Sequence, residues 1–221
     1  MMNSGNVAAA LSSNPDKFNE YMDKYTGLIS TFSTTSLANL ELDSKKAVYI
    51  EHLREVKDEF SDDEYSRLRR LLDSVPNEEY LVHGDIQLKN MMIHDGEMFA
   101  IDMQTLGKGN AIFELAPLYS TYFLFSEGFQ KSNAPFQGIS EEMGHRVYTC
   151  LMDCFFEGVA TEVYELNFKK VKMAAYMFMF WWFKHYAPGE EYGVNYFKNL
   201  ILENMYEVED LILQDILTNK K

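Results

Sequence analysis

The sequence is poor in the residues that build several common classes of protein. Its 221 residues include two cysteines, Cys150 and Cys154, so a disulfide framework is excluded and a reducing compartment, the cytoplasm, is expected. Lysine and arginine number 20 against 34 aspartates and glutamates, which gives a net charge of −14. Because phosphate backbones and anionic lipids attract basic surfaces, this charge argues against nucleic acid and membrane surfaces as partners.

The sequence also lacks a hydrophobic run long enough to cross a bilayer. Its most apolar window, residues 174–183, has about half of the ~20 residues that a membrane span needs, and Lys172 and Lys184 flank it. Residues 1–14 do not combine a basic start with a long apolar run, so no signal peptide is expected. The apolar window is therefore interpreted as a buried core helix.

The hydrophobic pattern predicts a mostly helical α+β fold. Hydrophobic residues make up 47% of the chain, enough for one sizeable core. Helical spacing begins at Asn14-Pro15 and recurs until residue 72, and it returns after Gly109. Between these regions, short apolar runs predict strands. The predicted helices span residues 15–32, 44–57, 61–72, 112–126, 141–158, 168–185 and 192–217, and the predicted strands span residues 80–82, 91–93 and 98–101.

Three polar residues lie at the ends of the predicted strands. Asp85 and Asn90 flank the loop after the first strand, and Asp102 follows the last. Phosphoryl transfer needs such a set, because one carboxylate must orient the attacking hydroxyl and oxygen ligands must hold Mg²⁺ against the nucleotide phosphates. Asp85 suits the first role, and Asn90 and Asp102 suit the second.

The turn at Asp95-Gly96 determines whether the two candidate metal ligands share a face of the hairpin. A two-residue loop pairs His94 with Glu97 and points Asp102 away from the face of Asn90. A three-residue loop, with Gly96 as a left-handed bulge residue, puts both on one face. Because a shared metal requires the shared face, we predict the bulged turn.

These residues resemble a known family. The run His83-Gly84-Asp85, followed after four intervening residues by Asn90 and after the hairpin by Asp102, is similar to the aminoglycoside phosphotransferase and choline kinase family, whose members resemble protein kinases. The resemblance implies that Asp85 is the catalytic base and that His83 supports the loop. It implies that Asn90 and Asp102 bind Mg²⁺ and, through it, ATP or GTP.

The same resemblance extends weakly over residues 15–215. Glu114 lies where the family usually has an aspartate after the metal loop, and an architectural role is expected for it. The family implies transfer of the γ-phosphoryl group to a hydroxyl of a small metabolite or antibiotic. An acceptor with positive charge is compatible with the acidic composition. Aromatic residues between Tyr176 and Tyr186 are more often core than ligand cage, although an aromatic pocket wall is the alternative.

The sequence departs from the family upstream of the motif. Before Asp85 the glycines are Gly5, Gly27 and Gly84, so no glycine-rich phosphate loop is present, and the upstream lysines fall in helical patterns. The chain therefore resembles a catalytic lobe, residues 14–221, without its nucleotide lobe, and residues 1–13 are interpreted as the remnant of the inter-lobe connection. We expect an exposed patch of Val82, Met91, Met92 and Phe99 where adenine would bind.

Three functions remain open from the sequence. The first is an ATP-dependent small-molecule kinase, weakened by the missing lobe. The second is an inactive member of the family that binds a ligand or a partner, and the third is a helical interaction protein with an accidental motif. The third would gain support if Asp85, Asn90 and Asp102 lay far apart in the folded chain.

Overall fold

The computed structural model describes residues 5–35, 37, 40–77, 80–124 and 137–218. Helices enclose two small sheets, as the mostly helical α+β prediction requires. The helices are α1 (Val7–Ser13), α2 (Phe18–Thr34), α3 (Lys45–Glu55), α4 (Asp62–Asp73), α5 (Ile112–Tyr122), α6 (Glu141–Phe155), α7 (Thr161–Tyr186) and α8 (Glu191–Thr218). The strands are β1 (Gly5–Asn6), β2 (Tyr80–Val82), β3 (Met91–His94), β4 (Glu97–Ala100) and β5 (Gly107–Gly109).

Side-chain caps fix the starts of two of the predicted helices. The Ser44 hydroxyl accepts a hydrogen bond from the Ala47 amide at the start of α3. Ser61 and Glu64 form the predicted capping box at the start of α4. Each such cap satisfies main-chain amides that the first helical turn leaves without a partner.

The first described residues are part of the core. Strand β1 pairs antiparallel with β3, and Val7 and Leu11 of α1 are fully buried. This apolar contact explains why a short helix of seven residues forms there, since packing stabilises short helices more than intrinsic propensity does.

The predicted bulged turn is wrong. His94 pairs with Glu97, and Met91 pairs with Ala100, which is the register of a two-residue loop. Asp95 has φ +49° and Gly96 has φ +84°, so both loop residues adopt the left-handed conformation of a type I′ turn. This turn matches the twist of the strands, and Asp-Gly tolerates it better than most pairs of residues.

The centre of the protein is built from α5, α7 and α8. The apolar window of residues 174–183 lies inside α7, where Ala174, Ala175 and Phe180 are buried, as predicted. Helix α7 begins seven residues earlier than the predicted helix of residues 168–185, at Thr161. Within the described ranges, no helix has the length and apolarity that a bilayer span requires.

The expected patch at the hairpin is only partly exposed. Phe99 is 43% exposed, but Val82 and Met91 are buried in the interior. The expectation was wrong for these two because β2 is covered by α2 and β3 is covered by α1 and β1. Ile101 and Met103 are exposed instead, so the open apolar surface lies on β4 and the residues after it.

Candidate active site

The pairing of β2 with β5 brings the two predicted loops together. Val82 is opposite Gly107, so His83-Gly84-Asp85 emerges from β2 beside the segment that follows Asp102. Gly84 has φ +80°, a conformation that side chains with a Cβ rarely adopt. The chain therefore turns sharply at Gly84.

Asp85 and Asn90 are in direct contact. The Asn90 amide nitrogen donates to the Asp85 main-chain carbonyl at 2.9 Å and to its carboxylate oxygen Oδ2 at 2.8 Å. The Gln87 side chain donates to the same oxygen at 3.2 Å. Burial raises the pKa of Asp85, and the bonds from Asn90 and Gln87 lower it, with a net rise above the usual value. A raised pKa is typical of a carboxylate that accepts protons near neutral pH.

His83 is fully buried and links the two loops. Its Nε2 lies 2.9 Å from the Ile101 carbonyl, which can only accept, so Nε2 carries the proton. Its Nδ1 then accepts from the Asp85 amide at 3.3 Å. Burial lowers the pKa of His83, which agrees with a neutral ring in this position.

Asp102 is held in a left-handed conformation with φ +61° and ψ +56°. Such a conformation costs about 1–3 kcal/mol for a residue other than glycine and is enriched at functional sites. The amide of its neighbour Ile101 donates to the Asn90 carbonyl at 2.8 Å. Asp102 is exposed, and its charge contributes to the raised pKa of Asp85. The left-handed turn takes Asp102 out of the strand geometry, so the register of the hairpin does not dictate its direction.

Glu114 supports the loop that carries Asp85. Its two carboxylate oxygens accept from the His83 amide at 2.6 Å and from the Gly84 amide at 3.0 Å. The side chain is buried at the start of α5, and burial raises the pKa of Glu114 to about 7. The main-chain bonds and the charge of Lys45 oppose that rise. The position agrees with the architectural role expected for this residue.

Two buried tyrosines anchor the rest of the loop. The Tyr25 hydroxyl of α2 donates to the Ile86 carbonyl, and the Tyr122 hydroxyl of α5 accepts from the Leu88 amide at 2.7 Å. Ile86 and Leu88 are themselves fully buried. The loop that carries Asp85 and Asn90 is therefore fixed by side-chain bonds from helices on both sides.

A cavity of about 560 Å³ opens beside Asp85. One wall is aromatic and comes from α3 and α7; the other carries the polar groups of the two loops. The wall residues include Tyr49, His52, Phe178, Trp181, Trp182 and Tyr186, and the polar side includes Lys45, Asp85, Gln87 and Thr105. The aromatic segment of α7 therefore contributes both to the core and to a pocket wall, the two interpretations of its sequence. Tyr176, Phe180 and Phe183 are buried in the core, and the other aromatic residues of the segment line the cavity.

The donor set fits Mg²⁺. An amide oxygen of Asn90 and the carboxylate of Asp102 are hard oxygen ligands, and Mg²⁺ usually takes few protein ligands and keeps water and phosphate oxygens. In the part of the chain that the structure describes, no three histidine, cysteine, aspartate or glutamate side chains form a metal-binding group.

Sequence reasoning missed Lys45 and Thr105. Lys45 is the first residue of α3, and its ammonium donates to the Thr105 carbonyl, while the Thr105 hydroxyl donates to the His83 carbonyl at 2.7 Å. A signal for Lys45 was present in Gly107 and Gly109, because glycines within a strand often mark the close approach of another group.

The chain resembles known proteins in its fold and in part of its sequence. No curated protein sequence matches the chain. A solved structure, the choline/ethanolamine kinase family protein from Mesorhizobium loti, is similar with a TM-score of 0.51 and 13% identity. The match covers 92% of this chain and 70% of that one, which supports a shared fold. The family model "Phosphotransferase enzyme family" matches residues 34–138, a segment that contains Asp85, Asn90 and Asp102. Residues 34–138 are therefore similar in sequence to the phosphotransferase enzyme family, and the chain shares the fold of a choline/ethanolamine kinase family protein.

Proposed function

We propose that this site transfers the γ-phosphoryl group of ATP to a hydroxyl of a small molecule. The observation that carries the proposal is the Asp85–Asn90 contact, with Asp102 close enough for its charge to act on Asp85. A base, an amide and a second carboxylate on two adjoining loops are the groups that this chemistry requires.

In the proposed step, Asp85 accepts a hydrogen bond from the acceptor hydroxyl and takes its proton. The hydroxyl oxygen forms a bond to the γ-phosphorus while the bond from that phosphorus to the β-phosphate oxygen breaks, and ADP leaves. The bonds from Asn90 and Gln87 to Asp85 Oδ2 orient the carboxylate so that its other oxygen is directed to the acceptor. The partly buried position of Asp85 raises its affinity for the proton.

Asn90 and Asp102 are the residues that would hold magnesium. When bound, magnesium neutralises part of the negative charge on the nucleotide phosphates. The buried position of Asn90 and its two bonds to Asp85 hold that side chain in place, and the left-handed backbone sets where Asp102 leaves the hairpin. The choice between ATP and GTP stays open, and ATP is used below as the probe.

The cavity beside Asp85 is the proposed acceptor site. Its aromatic wall suits a compound with an apolar or cationic face, since aromatic rings attract both. Choline and ethanolamine are reasonable first probes because the similar solved structure is described as a choline/ethanolamine kinase family protein. An aminoglycoside is the third probe.

Nucleotide binding is the first test. Calorimetric titration of the protein with Mg·ATP should give measurable but weak binding, in the high micromolar range or weaker, because the described residues provide no glycine-rich loop over the phosphates. Asp102→Asn should weaken that binding further, and Asp95→Asn should not. Asp95 is the matched control, since it is an exposed aspartate with positive φ at the hairpin tip.

Turnover is the second test. ADP release should depend on Mg²⁺ and on one of the three acceptor probes, and Asp85→Asn should lower kcat by about 100-fold or more, as loss of a general base does. Asp95→Asn should retain the wild-type rate. Mg·ATP binding without turnover would instead favour an inactive, ligand-binding member of the family, and full turnover by Asp85→Asn would refute the assigned base.

A further inference from the structure

The side chain of Lys45 runs through a channel that glycines leave open. A Cβ atom on Gly109 would lie 3.1 Å from Lys45 Cβ, and one on Gly107 would lie 2.8 Å from Lys45 Cε. A Cβ atom on Gly84 would lie 2.7 Å from the ammonium nitrogen. These three positions follow the lysine from its main chain to its tip, so any larger residue at them would displace it.

The main chain on the N-terminal side of Lys45 is bonded to β5, the strand that contains Gly107 and Gly109. The Lys108 amide donates to the Asp43 carbonyl at 2.9 Å, and Ser44 forms a bridge with Lys108. Lys45 therefore enters the site from a fixed helix start. The side chain is restrained at both ends, because the main chain beside it is bonded to β5 and its ammonium is bonded to the Thr105 carbonyl.

The tip of Lys45 meets both loops of the site. Its ammonium donates to the Thr105 carbonyl, three residues after Asp102, and lies against Gly84, one residue before Asp85. Thr105 also donates through its hydroxyl to the His83 carbonyl at 2.7 Å. One lysine and one threonine thus join the loop that carries Asp102 to the loop that carries Asp85.

We propose that Lys45 is a positioning residue that sets the placement of Asp102 relative to Asp85 by holding the Thr105 carbonyl against Gly84. Lys45 also lines the cavity with Asp85, and its charge faces the buried Glu114 carboxylate that supports Gly84. The catalytic consequence rests on the proposed function, whereas the loop-holding role does not.

Lys45→Met tests this role, because methionine keeps most of the side-chain length and removes the charge and the donors. Lys46→Met is the matched control: Lys46 is the next residue of α3, and its ammonium donates to the Asp73 and Val75 carbonyls, away from the site. Both variants lose ammonium-to-carbonyl bonds and should lose similar thermal stability. Thr105→Ala, which removes the hydroxyl bond to His83, reports on the same junction if Lys45→Met does not fold.

Hydrogen–deuterium exchange gives a readout that needs no activity. In Lys45→Met, the amides of residues 102–107 should exchange about tenfold faster, as expected for loss of one charge-assisted hydrogen bond. In Lys46→Met they should exchange at the wild-type rate. Equal exchange in the two variants would overturn the proposal.

Steady-state kinetics separates this proposal from the proposed function. If the wild type turns over Mg·ATP, Lys45→Met should lower kcat by about 100-fold, the effect of misplacing a reacting group by about 1 Å, while Lys46→Met retains it. An unchanged kcat in Lys45→Met would overturn the catalytic role of Lys45 and leave the proposed function standing. Absence of turnover in the wild type would refute the proposed function, and the exchange experiment would still decide whether Lys45 holds the loop.

Discussion

The side-chain amide of Asn90 donates to Asp85 twice, to its carboxylate and to its main-chain carbonyl. Both bonds use the amide nitrogen, so the amide oxygen takes no part in them. A single asparagine can therefore orient the proposed base with one atom and offer a metal ligand with the other. This double use explains why an amide suits the position better than a carboxylate, which has no donor.

Asn90→Asp should shift the pH dependence of catalysis. The substitution replaces a donor with a second carboxylate about 3 Å from Asp85, and like charges at that distance raise the pKa of the pair. The acidic limb of the kcat/KM profile should move to higher pH by about one unit or more, which steady-state rates between pH 5 and 9 would measure.

Asn204→Asp is the control for that experiment. The Asn204 amide in α8 also donates to a main-chain carbonyl, that of Leu200 at 2.7 Å, and it lies in the helical part of the protein away from Asp85. This variant should lose stability and keep the wild-type pH profile. An unmoved acidic limb in Asn90→Asp would mean that the two side chains do not interact during catalysis.

Glu114→Gln should change how stability depends on pH. Burial raises the pKa of Glu114 from 4.5 to about 7, so between these values the folded state binds more protons than the unfolded state. The contribution of Glu114 to stability is therefore fully present below about pH 4.5 and is lost as the pH rises through about 7. Relative to Glu114→Gln, which does not titrate there, the wild type should lose about 3 kcal/mol across this range, as measured by urea unfolding.

Glu209→Gln provides the opposite case. Burial raises the pKa of Glu209, but the bonds from Arg70 and Arg67 outweigh it and lower the pKa overall. Its contribution is present above about pH 4.5 and is lost only as the pH falls further. The difference between wild type and Glu209→Gln should therefore stay flat from pH 4.5 to 7. A flat difference for Glu114→Gln as well would show that the Glu114 carboxyl titrates normally.

The sequence was sufficient for features that depend on neighbouring residues. The capping box at Ser61, the apolar core of α7 and the order of the longer helices and the hairpin follow from local spacing, whereas α1, β1 and β5 were not predicted. The spacing of Asp85 and Asn90 was also informative, since four residues separate them and the short loop brings them into contact.

The turn of the hairpin and the contact of Lys45 were not predicted, for different reasons. The bulged turn was inferred from a presumed metal geometry, and the local preference of Asp95-Gly96 for a type I′ turn determined the outcome instead. The left-handed backbone at Asp102 was not predicted either. Lys45 was missed because 60 residues separate it from its partner Thr105.

Trp182→Ala should weaken acceptor binding with little effect on stability. Trp182 lines the cavity beside Asp85 and is 38% exposed, so its removal leaves no buried void. An aromatic contact contributes about 0.5–1.5 kcal/mol, which corresponds to a rise of about two- to thirteenfold in the KM of the acceptor. The KM of ATP should stay unchanged. Tyr192→Ala, at an exposed aromatic residue that does not line this cavity, should alter neither constant; equal effects of the two variants would place the acceptor elsewhere.

Gly193→Ala should destabilise the packing of α7 against α8. A Cβ atom on Gly193 would lie 2.6 Å from Cδ1 and 2.7 Å from Cζ of the Phe183 ring, which is buried. Forcing an extra carbon into such a contact typically costs about 1–3 kcal/mol, which urea unfolding would detect as a lower midpoint. Gly27→Ala in α2 is the matched control, because nothing lies within 4 Å of its added Cβ.

That control should stabilise the protein slightly, by about 0.5–1 kcal/mol, because alanine restricts the unfolded chain and favours the helix. Phe183→Leu in the Gly193→Ala background should recover part of the lost stability, since leucine withdraws the ring atoms that meet the new methyl group. Phe183→Leu alone should lower stability through lost burial. Additive effects of the two substitutions would show that residue 193 and Phe183 are not in contact, and would contradict the prediction.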